Sequence, residues 1–412
     1  MKKIILITIL FFCLIYSAYG QWYQINSPTS NDLFCVIFTD TSTGYISGNL
    51  SGTIYKTLNG GTTWVAKLTG TSSNFHNIKF LNAATGFAAG SSCTVIKTTN
   101  GGESWTTLLT GTSTLNSVCF PDLNTGYIIG NFPMLFKKTT DGGTNWFDVA
   151  YPSNSILRDC SFVTGTTGWI CGYDGIMFKT SDGGSTWISQ SQGASYNFER
   201  IEFIDQDYGT AVGSNGGIFR TIDGGDVWYP GNPGLTTGYY CVRFNDHDNG
   251  WIAGASGIVA HTGTGGMGTN WFRQYTPSTT AVYYGISDPG YLVGYIVGNN
   301  GIVLKTINSG GDPYTGIKKI AGEIPASFYL YQNYPNPFNP ATEIRFSVPK
   351  YSRVNISIYD LTGNAVSLLT NRIYEPGTYK IYFSGYRLAS GVYFCILKTE
   401  DFSQTRKLVI LK

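Results

Sequence analysis

A phrase of the form Thr-x-Asp/Asn-Gly-Gly-x-Thr/Ser/Asn-Trp, fullest as KTSDGGSTW at Lys179 to Trp187, returns along the chain. Its tryptophans stand at Trp64, Trp105, Trp146, Trp187, Trp228 and Trp271, in four steps of 41 residues and one of 43. A unit of this length cannot bury its own apolar face and has to stack on its neighbours, so the period dictates a repeat architecture. Between the copies, apolar positions alternate or form short β-rich runs, and Gly, Asn, Asp and Thr mark the junctions, which predicts four antiparallel strands per unit. A seventh unit breaks off at Gly310, Gly311 and Asp312 without a tryptophan, whereas Trp22 to Pro28 matches the last strand of a unit and precedes the first. Trp22 therefore completes a set of seven. An open solenoid needs no spare strand at its wrong end, but a ring does, because strand exchange between the chain ends joins its first and last sheets. The expected fold is all-β: a seven-bladed β-propeller over residues 21–312, its last blade closed by the N-terminal strand, followed by a small Ig-like β-sandwich.

The recurring phrase is the turn between third and fourth strands. Asn59, Asn100, Asp141, Asp182 and Asp223 accept local backbone N–H groups, the Gly pair tolerates positive φ, and the tryptophan covers the turn. Repetition from unit to unit argues for a structural part, since copies of one catalytic group around the rim make no chemical sense. These turns, with the preceding TGY or TGW and G-x-[IM]-[YF]-[KR]-T segments, resemble the Asp-box, or bacterial neuraminidase repeat. More closely, they resemble the seven-bladed Ycf48/Hcf136-like photosystem II assembly factors. The resemblance covers about residues 22–312 and implies a propeller whose repeat motif lies away from any catalytic face.

Past Asp312 the character changes. Residues 313–325 read as a linker, and 326–412 contain alternating strands separated by Thr362-Gly363, Pro376-Gly377 and Ser390-Gly391, the pattern of a sandwich. The phrases YPNPFNPATEIRFSVP, VNISIYDLTGNAV and LASGVYFCILKT resemble the type A C-terminal sorting domain of type IX secretion. That resemblance implies a Gram-negative source, engagement of the type IX machinery through residues 326–412, and delivery to the outer cell surface or the medium through the periplasm. Residues 1–20 fit this route. Lys2 and Lys3, an apolar run and a small-residue end read as a signal peptide, and no later stretch reads as transmembrane.

Charge narrows the partners. The chain carries 27 basic and 25 acidic residues with no basic cluster on the repeat domain, so nucleic acid is not an expected partner. No cofactor motif or metal-ligand spacing is present, and the three histidines, His76, His247 and His261, make no ligand set. Seven cysteines follow the signal, and Cys160 and Cys171 fall on strands of one hairpin, where a bridge is one option.

Candidate binding residues fall in two groups. Charged side chains interrupt the innermost strands at Lys79, Arg158, Asp159, Arg200, Glu202 and Arg243, where they must meet water, one another or a ligand. Aromatic residues enrich the connections between units, among them Tyr196, Phe198, Tyr239 and Tyr240, and offer contact area to a polypeptide or a sugar. The expected function is a secreted or cell-surface binding module for an extracellular polypeptide or glycan. The alternative is a sialidase-like glycoside hydrolase, in which Arg158, Arg200 and Arg243 would converge on a carboxylate.

Overall fold

The structure is a computed structural model. It describes residues 22–411 apart from 132–133, 192–195, 233, 235, 269–270, 291–292, 308–317, 322–324, 340 and 385–387. The expected signal segment and most of the expected linker lie outside the described residues. The chain divides into two compact units between Asp312 and Pro313.

Seven four-stranded antiparallel sheets form the first unit. The first blade runs Leu33–Phe38, Gly44–Gly48, Thr53–Thr57 and Val65–Leu68, and five more repeat that order. The seventh takes Tyr283–Gly290, Val293–Gly298 and Val303–Thr306, and its outer strand is Tyr23–Gln24. Tyr23 pairs opposite Lys305 and Gln24 opposite Leu304. The N-terminal strand thus closes the ring, and Trp22, 2% exposed, donates its Nε1–H to Gln274 Oε1 at 2.6 Å. Neighbouring first strands line the ring's centre.

Adjacent blades are keyed together by aromatic wedges. In the first six blades a phenylalanine stands near the end of the first strand, and in five of them it stacks on the aromatic residue of the preceding blade's second strand; the seventh first strand, Tyr283–Gly290, carries none. Phe80 lies 4.2 Å from Tyr45, Phe120 3.6 Å from Phe87, Phe162 3.6 Å from Tyr127 and Phe203 3.5 Å from Trp169. Phe38 stacks on Tyr295 at 3.6 Å across the closure. The edge of each such ring meets the repeat tryptophan of its own blade, which gives Trp64, Trp105, Trp146, Trp187, Trp228 and Trp271 a common packing role. The fifth blade departs from the pattern with Thr210 in the aromatic position. Arg220 fills the gap, its guanidinium 4.2 Å from the Phe244 ring and bonded to Thr210 Oγ1 and the His247 carbonyl, both at 2.8 Å. Burial lowers the Arg220 pKa to about 10. These contacts give Arg220 a structural role.

The recurring turn is a hydrogen-bonded knot. Asp182 Oδ1 accepts from Thr180 Oγ1 at 2.8 Å and from the Thr186 N–H at 2.9 Å, while Thr180 Oγ1 accepts the Gly184 N–H at 2.9 Å. Gly183 and Gly184 hold φ of 72° and 92°, values that a side chain would oppose. The Gly183 carbonyl accepts Lys138 Nζ at 3.1 Å and Tyr127 Oη at 3.3 Å from the blade before. The same latch joins Lys56 and Tyr45 to Gly101, and Lys305 and Tyr295 to Gly60 across the closure.

The second unit is a sandwich of two four-stranded sheets. One contains Ala341–Val348 between Gly377–Ser384 and Tyr329–Leu330; the other contains Ser352–Tyr359 and Gly391–Lys398 between Ala365–Tyr374 and Ser403–Ile410. Phe346, Val354, Ile356, Ile358, Leu397, Leu408 and Ile410 fill its core. Within the stretch expected to be linker, Lys318–Ala321 forms an edge strand on Gly377–Ser384. Backbone pairing along an otherwise open sheet edge supplies the reason, and so short a run carries no alternation to announce it.

Candidate functional site

Every first strand of the propeller carries a β-bulge near its start, at the second residue in six strands and the third in Thr114–Cys119. The register skips one position at Phe34, His76, Asn116, Arg158, Glu199, Tyr240 and Tyr284. A bulge leaves one residue unpaired and re-aims its side chain. The glycine ending each second strand is its complement: a Cβ on Gly90 would stand 1.9 Å from the Asn74 carbonyl oxygen, and one on Gly213 2.1 Å from that of Asn197. Each bulge lies just inside the point where the connection from the preceding blade enters. That end of the blade also carries the turn between second and third strands, which bonds to those connections through Gly52 N–H to Ser73 O at 2.9 Å and Asn49 N–H to Asp32 O at 2.8 Å. The seven bulge residues therefore ring one mouth of the central channel, on the face opposite the tryptophan turns.

The ring is continuous around most of its circuit. Phe34 meets His76 at 5.3 Å and Tyr284 at 5.8 Å between ring centroids, and Tyr240 meets Tyr284 at 6.0 Å. Across from this aromatic arc, Arg158 holds Glu199 Oε2 through Nε and Nη2, both at 2.7 Å, and reaches Asn116 Oδ1 at 3.5 Å. Asn116 Nδ2 donates to the Leu157 carbonyl at 2.7 Å. His76 Nδ1 lies 2.9 Å from the Leu115 carbonyl, an acceptor only, so Nδ1 carries the proton and Nε2 keeps its lone pair. Burial lowers the His76 pKa, leaving the ring neutral at pH 7.

Deeper in the channel, the charged residues singled out from the sequence mostly tie one blade to the next. Glu202 takes Arg243 Nη1 at 2.6 Å and the Phe244 N–H at 2.8 Å, and Asp159 Oδ2 accepts the Ile201 N–H at 3.0 Å. Ser161 and Ser287 accept the N–H groups of Phe203 and Phe38, each at 2.9 Å. Burial opposes the Arg200 charge while Asp159 favours it, and the balance raises its pKa. Among the described residues Lys79 has no ion-pair partner. Arg158 and Arg243, two of the three arginines expected to converge in a carboxylate-binding hydrolase, are each matched to a carboxylate.

Of the aromatic candidates, Tyr240 sits in the ring, but Phe198 and Tyr239 do not face a ligand. Both are 0% exposed in the interblade core, because the residue before each bulge points inward. Tyr196 is half-buried against Phe198 and Phe219. Sequence patterning does not single out Phe34, Asn116 or Glu199; the recurrent glycine near the end of each second strand is the available signal. All seven described cysteines are free, so Cys160 and Cys171 form no bridge, and the Cys160 thiol instead donates to Ser117 Oγ of the preceding blade at 3.7 Å. Among the described residues no three metal-ligating side chains group together, and no helix is long and apolar enough to cross a membrane.

Residues 15–110, 69–153 and 193–310 match the photosynthesis system II assembly factor YCF48 family, over more than half of the chain. The chain belongs to that family. Residues 332–411 match the secretion system C-terminal sorting domain, which marks a propeller exported to the outer cell surface or beyond and engaging that secretion machinery. Among solved structures, YCF48 bound to D1 peptide is 19% identical with a TM-score of 0.57, over 71% of this chain and 98% of that one. YCF48 from Cyanidioschyzon merolae is 20% identical with a TM-score of 0.56, over 70% and 98%. A GH74 enzyme from Niastella koreensis is 12% identical with a TM-score of 0.56, over 94% and 67%. At such identities these structures establish the propeller fold alone. No curated protein matches the sequence.

Proposed function

We propose that this exported YCF48-family propeller is a non-enzymatic binding module that offers its bulge-ringed mouth to an extracellular polypeptide or glycan. One observation carries the reading: seven equivalent backbone distortions aim seven side chains at one mouth, and those side chains differ in chemistry. Pure scaffolding would repeat the residue as well as the geometry, as the tryptophan turns do. Arg158 and Tyr240 contribute to the rim. Arg200 and Lys79 lie further along their strands as charges able to meet a group that enters the channel. Residues 1–20 serve as signal peptide, 21–312 as the binding domain and 326–412 as the sorting domain. The test is a binding screen of the purified full chain against glycan and protein arrays, repeated with substitutions in the ring. Binding that ring substitutions weaken supports the assignment. Turnover of fluorogenic glycosides, lost in Arg200→Ala and Arg243→Ala, would replace it with the hydrolase.

A further inference from the structure

We propose that the ring at the loop-face mouth binds a neutral saccharide unit, with the sugar's C–H face on the Tyr240, Tyr284, Phe34 and His76 arc and its hydroxyls toward Asn116, Arg158 and Glu199. This rests on the binding-module reading above and names its ligand class.

Three features of the mouth select that chemistry. First, its two arcs differ. A pyranose has an apolar C–H face and an edge of hydroxyls that both donate and accept, and it needs aromatic surface beside planar polar groups. The contiguous aromatic arc and the amide, guanidinium and carboxylate opposite supply both. Secondly, the polar arc is electrically balanced. Arg158 spends two donors on Glu199 Oε2, so an anionic ligand finds no free cation at the rim, while a hydroxyl can still use the remaining guanidinium donors and Glu199 Oε1. Among the described residues the Tyr240 and Tyr284 hydroxyls have no hydrogen-bond partner and add two further groups of the same kind. Thirdly, the inner strand edges are not open to an added peptide strand. The N–H groups of Phe38, Ile78, Phe162, Ile201, Phe203 and Phe244 already donate to side chains of the preceding blade.

The experiment titrates the purified full chain with cellohexaose, xylohexaose, mannohexaose, maltohexaose and sialyllactose, and in parallel probes a randomised peptide array. The expected result is binding of at least one neutral oligosaccharide, with an affinity unchanged between about 50 mM and about 500 mM salt because no charge pairing is involved. Tyr284→Ala should weaken it roughly tenfold, as removal of an anchoring aromatic does. Tyr240→Phe, which keeps the ring and removes one hydroxyl, should weaken it by a few-fold while melting stays unchanged. Binding of sialyllactose alone, of no saccharide, or of a neutral sugar whose affinity both variants leave intact would overturn the proposal. Peptide binding that Tyr284→Ala abolishes would also overturn it, yet would leave the binding-module reading standing. If no ligand of any class responds to the ring substitutions, both fall.

Discussion

The tryptophan turns and the bulge ring are both recurrent devices of one repeat, placed on opposite faces of the same blades, and they differ in what is repeated. At the turns, geometry and chemistry recur together: Asp182, Asp141 and Asp223 each take the N–H four residues on and the hydroxyl of the threonine two residues before. At the ring only the backbone recurs, and the side chains run from phenylalanine through histidine, asparagine, arginine and glutamate to two tyrosines. Identical side chains at equivalent sites indicate a load shared by every blade. Unlike side chains on an identical backbone indicate that the backbone serves to point them, which is why function belongs to the ring.

Breaking the closure tests the shared load most severely. Trp22→Ala removes a buried ring and its bond to Gln274, and should cost about 3–5 kcal/mol and lower the melting temperature of the full chain by on the order of 10 °C. Deleting Trp22 to Pro28 should do at least as much; unchanged melting would refute closure by strand exchange. Gly213→Ala comes next. Its Cβ would collide with the Asn197 carbonyl at 2.1 Å, so straightening or shifting that bulge should cost about 1–3 kcal/mol, read from a urea midpoint. A silent Gly213→Ala would remove the bulge, and with it the ring, from the comparison.

Acid should separate the two faces. Hydrogen bonds from Thr186 depress Asp182 to about 2, and Asp141 and Asp223 are lowered as well. A depressed carboxylate contributes its stability above the usual value of 3.8 and loses it as pH falls toward about 2. The urea midpoint should therefore hold from neutrality down to about pH 4 and fall below it. In Asp182→Asn that acid-dependent loss should shrink while folding at pH 7 is retained, as Asn59 and Asn100 show an amide is accommodated. The smallest effect on folding belongs to the ring. Tyr240→Ala and Tyr284→Ala should move the melting temperature by no more than about 2 °C. A large fall would place those residues with the scaffold.

Much of the fold was legible because periodicity is a local property. The 41-residue step, the alternation within each unit and the stray Trp22 each follow from residues close in sequence, and together they imply blade number and closure. The aromatic candidates were less legible. Phe198 and Tyr239 were grouped with Tyr240 by composition, and a one-residue bulge sends the first two into the core and the last to the mouth. The charges at Asp159, Glu202 and Arg243 read as candidate ligand contacts, but each finds its partner one blade away, about 42 residues along the chain.

The sequence by itself determined a closed sevenfold β-propeller with an export tail, since a repeat that cannot bury its own face leaves few other solutions. Only the tertiary structure decided which residues share a mouth. Residues from seven blades become neighbours solely through ring closure, and a bulge reverses the side-chain alternation that sequence patterns assume. Long-range packing and local backbone distortion set that assignment, and neither has a period to read.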